Sequence, residues 1–261
     1  MKVFLQWLFA FIQLSVAVGA AADSGHQDVA ALISQCEGGT RGEALAAIVQ
    51  ACTSAIDTKA YQGKQLGMLY LNRANVYDSM GDSSNALLDY NKAVELAPDV
   101  AGTYYNRGVF YKARGDLAAA LKDNDSALRL DPSYVPALYN RAVIYTVQNN
   151  ISGALADYSQ AIRLRPNMAE LRGHRGFVYL IHGDFQNALE DEDEAIRLDP
   201  KYAVAYLYRA TAHGKLGNVD QAEQDTKTAI RLNPALASNV AINGARINSG
   251  KATSTPQPGP K

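Results

Sequence analysis

Between residues 67 and 236 the apolar positions recur with helical spacing, in two short stripes separated by a turn signal. In the stretch 101–134, Tyr104, Gly108 and Tyr111 share one stripe and Gly115-Asp116 interrupts it. Ala120, Leu121, Ala127, Leu128 and Leu130 then form a second stripe, which Asp131-Pro132 ends. The pattern predicts two helices folded back on each other as a hairpin.

The hairpin repeats. Pro98, Pro132, Pro166, Pro200 and Pro234 stand 34 residues apart, each preceded two places earlier by Leu96, Leu130, Leu164, Leu198 or Leu232. Ala93, Ala127, Ala161, Ala195 and Ala229 keep the same register. Five units follow: 67–100, 101–134, 135–168, 169–202 and 203–236. A fixed period of this size means stacked helical units, none able to bury its apolar face alone, so the expected fold class is an all-α solenoid of helix-turn-helix repeats. Small residues at Ala74, Gly108, Ala142, Gly176 and Ala210, with Ala86, Ala120, Ala154, Ala188 and Ala222, let the paired helices approach closely. Tyr77, Tyr111, Tyr145 and Tyr179 supply the bulk between them.

One charged pair recurs inside this apolar frame. Arg73, Arg107, Arg141, Arg175 and Arg209 are each followed, sixteen residues later, by Asp89, Asp123, Asp157, Asp191 or Asp225. Charged groups are rarely buried unpaired, so these residues are expected to form a structural Arg-Asp ladder within or between neighbouring units rather than a ligand site.

The first residues follow a different rule. Met1-Lys2 is a short basic start, Val3 to Val18 is apolar apart from Gln6, Gln13 and Ser15, and Gly19-Ala20-Ala21-Ala22 supplies small residues. This is the pattern of a cleavable secretory signal over 1–22. The competing reading is an uncleaved anchor, and a bilayer span needs about 20 apolar residues, which the segment reaches only by counting its glutamines and alanines. No second hydrophobic span follows, so no stable membrane insertion is expected after cleavage. The location expected is exported, periplasmic or secreted.

Export gives meaning to the two cysteines, Cys36 and Cys52. In an oxidising compartment they read as one disulfide, worth about 3 kcal/mol in the chain-entropy model; two buried free thiols are the alternative. The whole chain has 261 residues and a net charge of -1, which demotes nucleic acid and acidic membrane surfaces as partners.

Tyr104-Tyr105-Asn106-Arg107-Gly108, then Tyr111, Gly115-Asp116, Ala120-Leu121, Ala127 and Asp131-Pro132, closely resemble the tetratricopeptide repeat (TPR), and the resemblance covers 67–236. Ala51-Cys52-Thr53-Ser54-Ala55-Ile56 resembles the amino-terminal cap of exported bacterial TPR proteins. The family implies a right-handed superhelix whose first helices line a concave groove for a protein or peptide. The sequence departs from the family pattern in its turns, with Asn149-Asn150 and Gly217-Asn218 where other units have Gly-Asp, in His213 where the other units have tyrosine, and in the arginine of every unit.

By the same resemblance the groove is lined by Asn72, Asn75, Tyr105, Asn106, Lys112, Tyr139, Asn140, His174, Phe177 and Tyr208, among others. Asn72, Asn106 and Asn140 recur at one position and resemble the asparagine ladder that some TPR proteins use to hold a peptide backbone; solvated consensus amides are the alternative. Leu71, Gly102, Tyr105 and Pro136 stand where a carboxylate clamp would need polar residues.

No catalytic or metal constellation stands out, and no cofactor is expected. The histidines lack a metal-binding spacing, His213 reads as a packed side chain, and there is no G-x-S-x-G, P-loop or G-x-G-x-x-G. The acidic run Glu190-Asp191-Glu192-Asp193-Glu194 reads as a solvated helix face, Asp191 excepted. The domain plan is a signal over 1–22, a helical cap over 23–66, five repeats over 67–236, a possible capping helix over 237–248 and a disordered tail over 249–261. The function expected is a non-catalytic adaptor in a bacterial cell envelope that binds a peptide segment of a partner. A glycan or small envelope ligand on the tyrosine-rich groove is the alternative, and self-association is possible.

Overall fold

A computed structural model describes residues 29–38 and 45–237 of the chain. The expected signal over 1–22, the tail over 249–261 and all but the first residue of the expected capping helix lie outside the described residues. Among the described residues there are twelve α-helices and no strand. They are α1 (Val29–Gly38), α2 (Leu45–Asp57), α3 (Gly63–Ser79), α4 (Ser83–Leu96), α5 (Ala101–Ala113), α6 (Leu117–Leu130), α7 (Val135–Val147), α8 (Ile151–Leu164), α9 (Ala169–His182), α10 (Phe185–Leu198), α11 (Ala203–Lys215) and α12 (Val219–Leu232), followed by a short 3-10 turn at Pro234–Leu236. They fall into two compact units that divide between Asp131 and Pro132.

The turns inside the hairpins are built from two residue types at fixed places. Gly81, Gly115, Gly183 and Gly217 all adopt φ between 80° and 85°, the left-handed conformation that ends a helix without a Cβ penalty. Asn149 takes the same role at φ 58°, which is why the Asn-Asn turn is tolerated. The next residue caps the second helix: Asp82, Asp116, Asn150 and Asp184 accept hydrogen bonds from the backbone N–H three residues on, at 3.0 to 3.3 Å. Each such cap is worth about 1 kcal/mol. Asn218 makes no such bond, and its amide lies 3.4 Å from His213 Nδ1 instead.

Within a hairpin the two helices meet through the small residues. Ala74, Ala86, Ala120, Ala142 and Ala154 are fully buried, and a Cβ on Gly108 would lie 3.1 Å from Asn124 Nδ2 and 3.3 Å from Ala120 O. That spacing brings every arginine of the ladder onto the aspartate of its own hairpin. Arg73–Asp89, Arg107–Asp123, Arg141–Asp157, Arg175–Asp191 and Arg209–Asp225 all form two-pronged pairs, Nε to Oδ2 and Nη2 to Oδ1, at 2.7 to 3.0 Å. The aspartates are 3 to 6% exposed. The remaining nitrogen turns to the preceding helical layer: Nη1 of Arg73, Arg107, Arg175 and Arg209 donates to Thr53, Asn91, Ser159 and Asp193. The ladder therefore acts both within and between hairpins.

In the first unit α1 packs on α2, and α2 on α3. Cys36 and Cys52 are joined by a disulfide, which settles the alternatives left by the sequence. Both sulfurs sit in a core with Leu32, Ala51, Ala55 and Leu69. The first repeat helix begins at Gly63, ahead of the boundary expected at 67, because its extra turn brings Leu66 against that core.

Removing one partner of a buried ion pair strands the other charge at a cost of about 3 to 5 kcal/mol, whereas exposed pairs contribute little. Asp157→Ala is therefore expected to lower the Tm by many degrees in a thermal melt, and Glu194→Ala, which breaks an exposed pair with Arg197, to leave it unchanged. Equal effects would contradict the ladder. Alkylation of the native, unreduced protein should label neither Cys36 nor Cys52, read by mass spectrometry.

Candidate functional site

The first helices of neighbouring hairpins touch directly, α3 on α5 in the first unit and α9 on α11 in the second, so each unit presents a face made by first helices. All the groove residues expected from the sequence sit on those helices or on α7.

On the first unit's face two of the amides are engaged. Asn75 Oδ1 accepts from the Tyr90 hydroxyl at 2.7 Å, and Asn106 Nδ2 donates to Gly102 O of its own helix at 2.7 Å. Tyr90 packs on Phe110, ring centroids 5.3 Å apart, and the Arg114 guanidinium lies 3.6 Å from the Phe110 centroid. Arg114 also pairs with Asp78 at 2.7 Å. Asn72 and Tyr105 are half-buried on the same helices. Lys112 is half-buried with no ion pair among the described residues, and burial lowers its ammonium pKa.

The second unit's face is aromatic. The Tyr139 hydroxyl lies 2.9 Å from His174 Nε2, and the Tyr158 ring stacks on the His174 ring at 6.1 Å and 8°. Phe177 and Tyr208 pack with centroids 5.0 Å apart and are half-buried. Burial raises the pKa of the Tyr158, Tyr202 and Tyr208 hydroxyls, which stay protonated. Asn140 is 1% exposed, so the three asparagines of the expected ladder are not equivalent: Asn72 and Asn106 are half-buried and Asn140 is inside. Among the described residues no group of three or more His, Cys, Asp or Glu side chains comes together to hold a metal ion, and no helix is long and apolar enough to cross a membrane.

Two sequence profiles described as tetratricopeptide repeat match the chain, one at residues 68–100 and 135–168, the other at 89–122 and 193–224. The hairpins are tetratricopeptide repeats. Solved TPR structures share the fold. One is YrrB, titled a TPR protein with an unusual peptide-binding site, at 24% identity and a TM-score of 0.60 over 76% of this chain and 99% of that one. MamA is similar at 20% identity and a TM-score of 0.58 over 73% and 98%. MamA 41-end from Desulfovibrio magneticus RS-1 aligns at 18% identity and a TM-score of 0.59 over 66% and 97%. None of the curated proteins compared matches the sequence.

Sequence reasoning missed the second helices' contribution to these TPR faces. In the first four repeats the residue after the ladder aspartate, Tyr90, Asn124, Tyr158 or Glu192, turns toward the first helices. Its place beside an invariant repeat position was the available signal. Glu192 is the exception to the solvated reading of its acidic run: it is 0% exposed, its two oxygens have no hydrogen-bond partner, and a Cβ on Gly176 would run into its Oε1. Asp191 is buried as expected, in the fork with Arg175.

Burial raises the Glu192 pKa well above the ordinary value of 4.5, with Asp191 and Asp193 adding to the shift and Arg209 opposing it. A folded-state pKa raised above the unfolded one means that the folded protein holds a proton the unfolded chain has released. The residue therefore costs no stability below its ordinary pKa and progressively more as pH rises past it. Glu192→Gln is expected to raise the Tm near neutral pH, with the gain vanishing in melts below the ordinary glutamate value. A gain independent of pH would contradict the protonated state.

Proposed function

We propose that the chain is a non-catalytic protein-interaction scaffold, exported to the cell envelope, which holds a segment of another protein against its first-helix faces. The observation that carries the reading is the Phe177–Tyr208 pair. The ladder, the alanine rows and the turns already close each hairpin, so two large, partly exposed rings packed on each other at a first-helix face are available to a partner. Aromatic side chains in such positions are the usual anchors of a protein interface.

Asn72, Tyr105 and Asn106 give the other unit a comparable polar and aromatic face, and amides can both donate to and accept from an extended backbone. The YrrB title, with its unusual peptide-binding site, supports the same use of the fold. The apolar N-terminal segment and the disulfide both support export.

The test is capture from envelope extract with the mature, tagged protein beside an Asn106→Ala/Phe177→Ala variant of matched melting temperature. A protein enriched about tenfold by the wild type and lost with the variant is expected, read by quantitative mass spectrometry. Equal capture by both would overturn the reading, and retention of a glycan alone would replace the peptide with a sugar.

A further inference from the structure

The residue after each ladder aspartate finds a partner within the protein in every repeat but one. The Tyr90 hydroxyl donates to Asn75, Asn124 Nδ2 to Ala120 O and Thr226 Oγ1 to Ala222 O, while the Tyr158 ring packs on those of Tyr139 and His174. Glu192 is the exception. Native folds seldom leave a buried polar group unsatisfied, because the lost hydration is not recovered, so such a group calls for a ligand or a role.

The surroundings of Glu192 are specialised in a way the other repeats are not. Gly173 occupies the position filled by Leu71, Tyr105, Tyr139 and Leu207 elsewhere. The space it leaves holds the ring of Tyr202, for a Cβ on Gly173 would lie 2.7 Å from Tyr202 Cε1. Tyr202 caps the start of α11 and is half-buried, so it covers the floor from the turn before that helix rather than from the face itself. Tyr202 and Tyr208 both lie close enough for a charge on Glu192 to oppose their ionisation, and Phe177 packs on Tyr208.

Nearby acids are already matched. Asp191 is paired with Arg175, Asp193 and Asp225 with Arg209, and Glu194 with Arg197. Glu192 is the buried carboxyl left over, without a hydrogen-bond partner and protonated in the free protein for want of a cation.

We propose that Glu192, roofed by Tyr202 and flanked by Tyr208, on which Phe177 packs, opens as a pocket for one basic side chain, a lysine or arginine of the bound peptide. The assignment deepens the peptide-binding reading and rests on it. Charge complementarity selects the occupant. As an ammonium or guanidinium enters, Glu192 releases its proton to solvent, and the cation then supplies the hydrogen-bond donors that the carboxylate oxygens lack and is attracted to the faces of the rings around it. An acidic side chain would add a second buried negative charge, and a neutral one would leave the pair unmade. Entry requires the Tyr202 ring to swing off Gly173, where the missing Cβ now lets it rest.

The experiment is calorimetric titration of the mature protein with blocked peptides identical except for one central residue, lysine, arginine, glutamine or glutamate. The lysine and arginine peptides are expected to bind about tenfold or more tightly than the glutamine peptide, and the glutamate peptide most weakly. Glu192→Gln, which keeps the shape of the side chain, should erase the discrimination. Equal binding of all four peptides to the wild type, or a basic preference undiminished in Glu192→Gln, overturns the pocket and leaves the peptide-binding reading standing. Binding of none of them counts against both.

Discussion

Each hairpin is closed by a guanidinium and a carboxylate that meet in a two-pronged fork, and the rest of the fold follows from having to build that fork in nearly dry surroundings. A buried pair of this kind forms only where both groups are held in register, since the attraction must offset the desolvation of two charges. The alanines and glycines at the crossing bring the helices near enough, and a tight turn at a left-handed glycine or asparagine joins them. The third nitrogen of the guanidinium then ties the hairpin to the layer before it. Aromatic rings finish the enclosure: Tyr70, Tyr104, Tyr145, Tyr179 and Tyr206 lie 5.3 to 6.0 Å from the cations. Arginine suits this place where lysine would not, because one planar group serves three directions at once.

This division of labour frees the first-helix faces. With the hairpin interior held by the forks and the small residues, side chains on the opposite stripe of each first helix are not needed for closure. The two units use that freedom differently. One carries amides, the Asp78–Arg114 pair and a half-buried lysine, the other a run of interacting rings over a buried acid. A repeat scaffold of this sort varies its ligand by changing such positions while the forks stay constant.

Glu192 shows what happens when the constant frame meets a variable position. The helix that carries it is anchored on either side by Asp191 and Asp193, both bound to arginines, so the residue between them has no freedom to turn outward to water. Its burial is imposed by its neighbours' bonds. The glycines of α9 accommodate it, and the strain falls on its protonation equilibrium.

Much of the fold was legible in the chain itself, because a strict period, turn residues and an Arg-Asp spacing are local or one-dimensional facts. The ten helices of the repeats, the hairpin turns including Asn149-Asn150, and the existence of the ladder follow from them. The site was less legible. Asn106 and Asn140 share a register position, yet one is half-buried and bonded to its own helix while the other is buried, because burial depends on what the adjacent helix places against each. The acidic run reads as a wet helix face by its own spacing, and only Gly173, Gly176 and Tyr202, brought up from other segments, decide that Glu192 is dry. Sequence by itself determined the repeat and its fasteners, since those are set by neighbours along the chain. Tertiary structure alone decided which polar group was left without a partner, since desolvation is set by atoms distant in sequence.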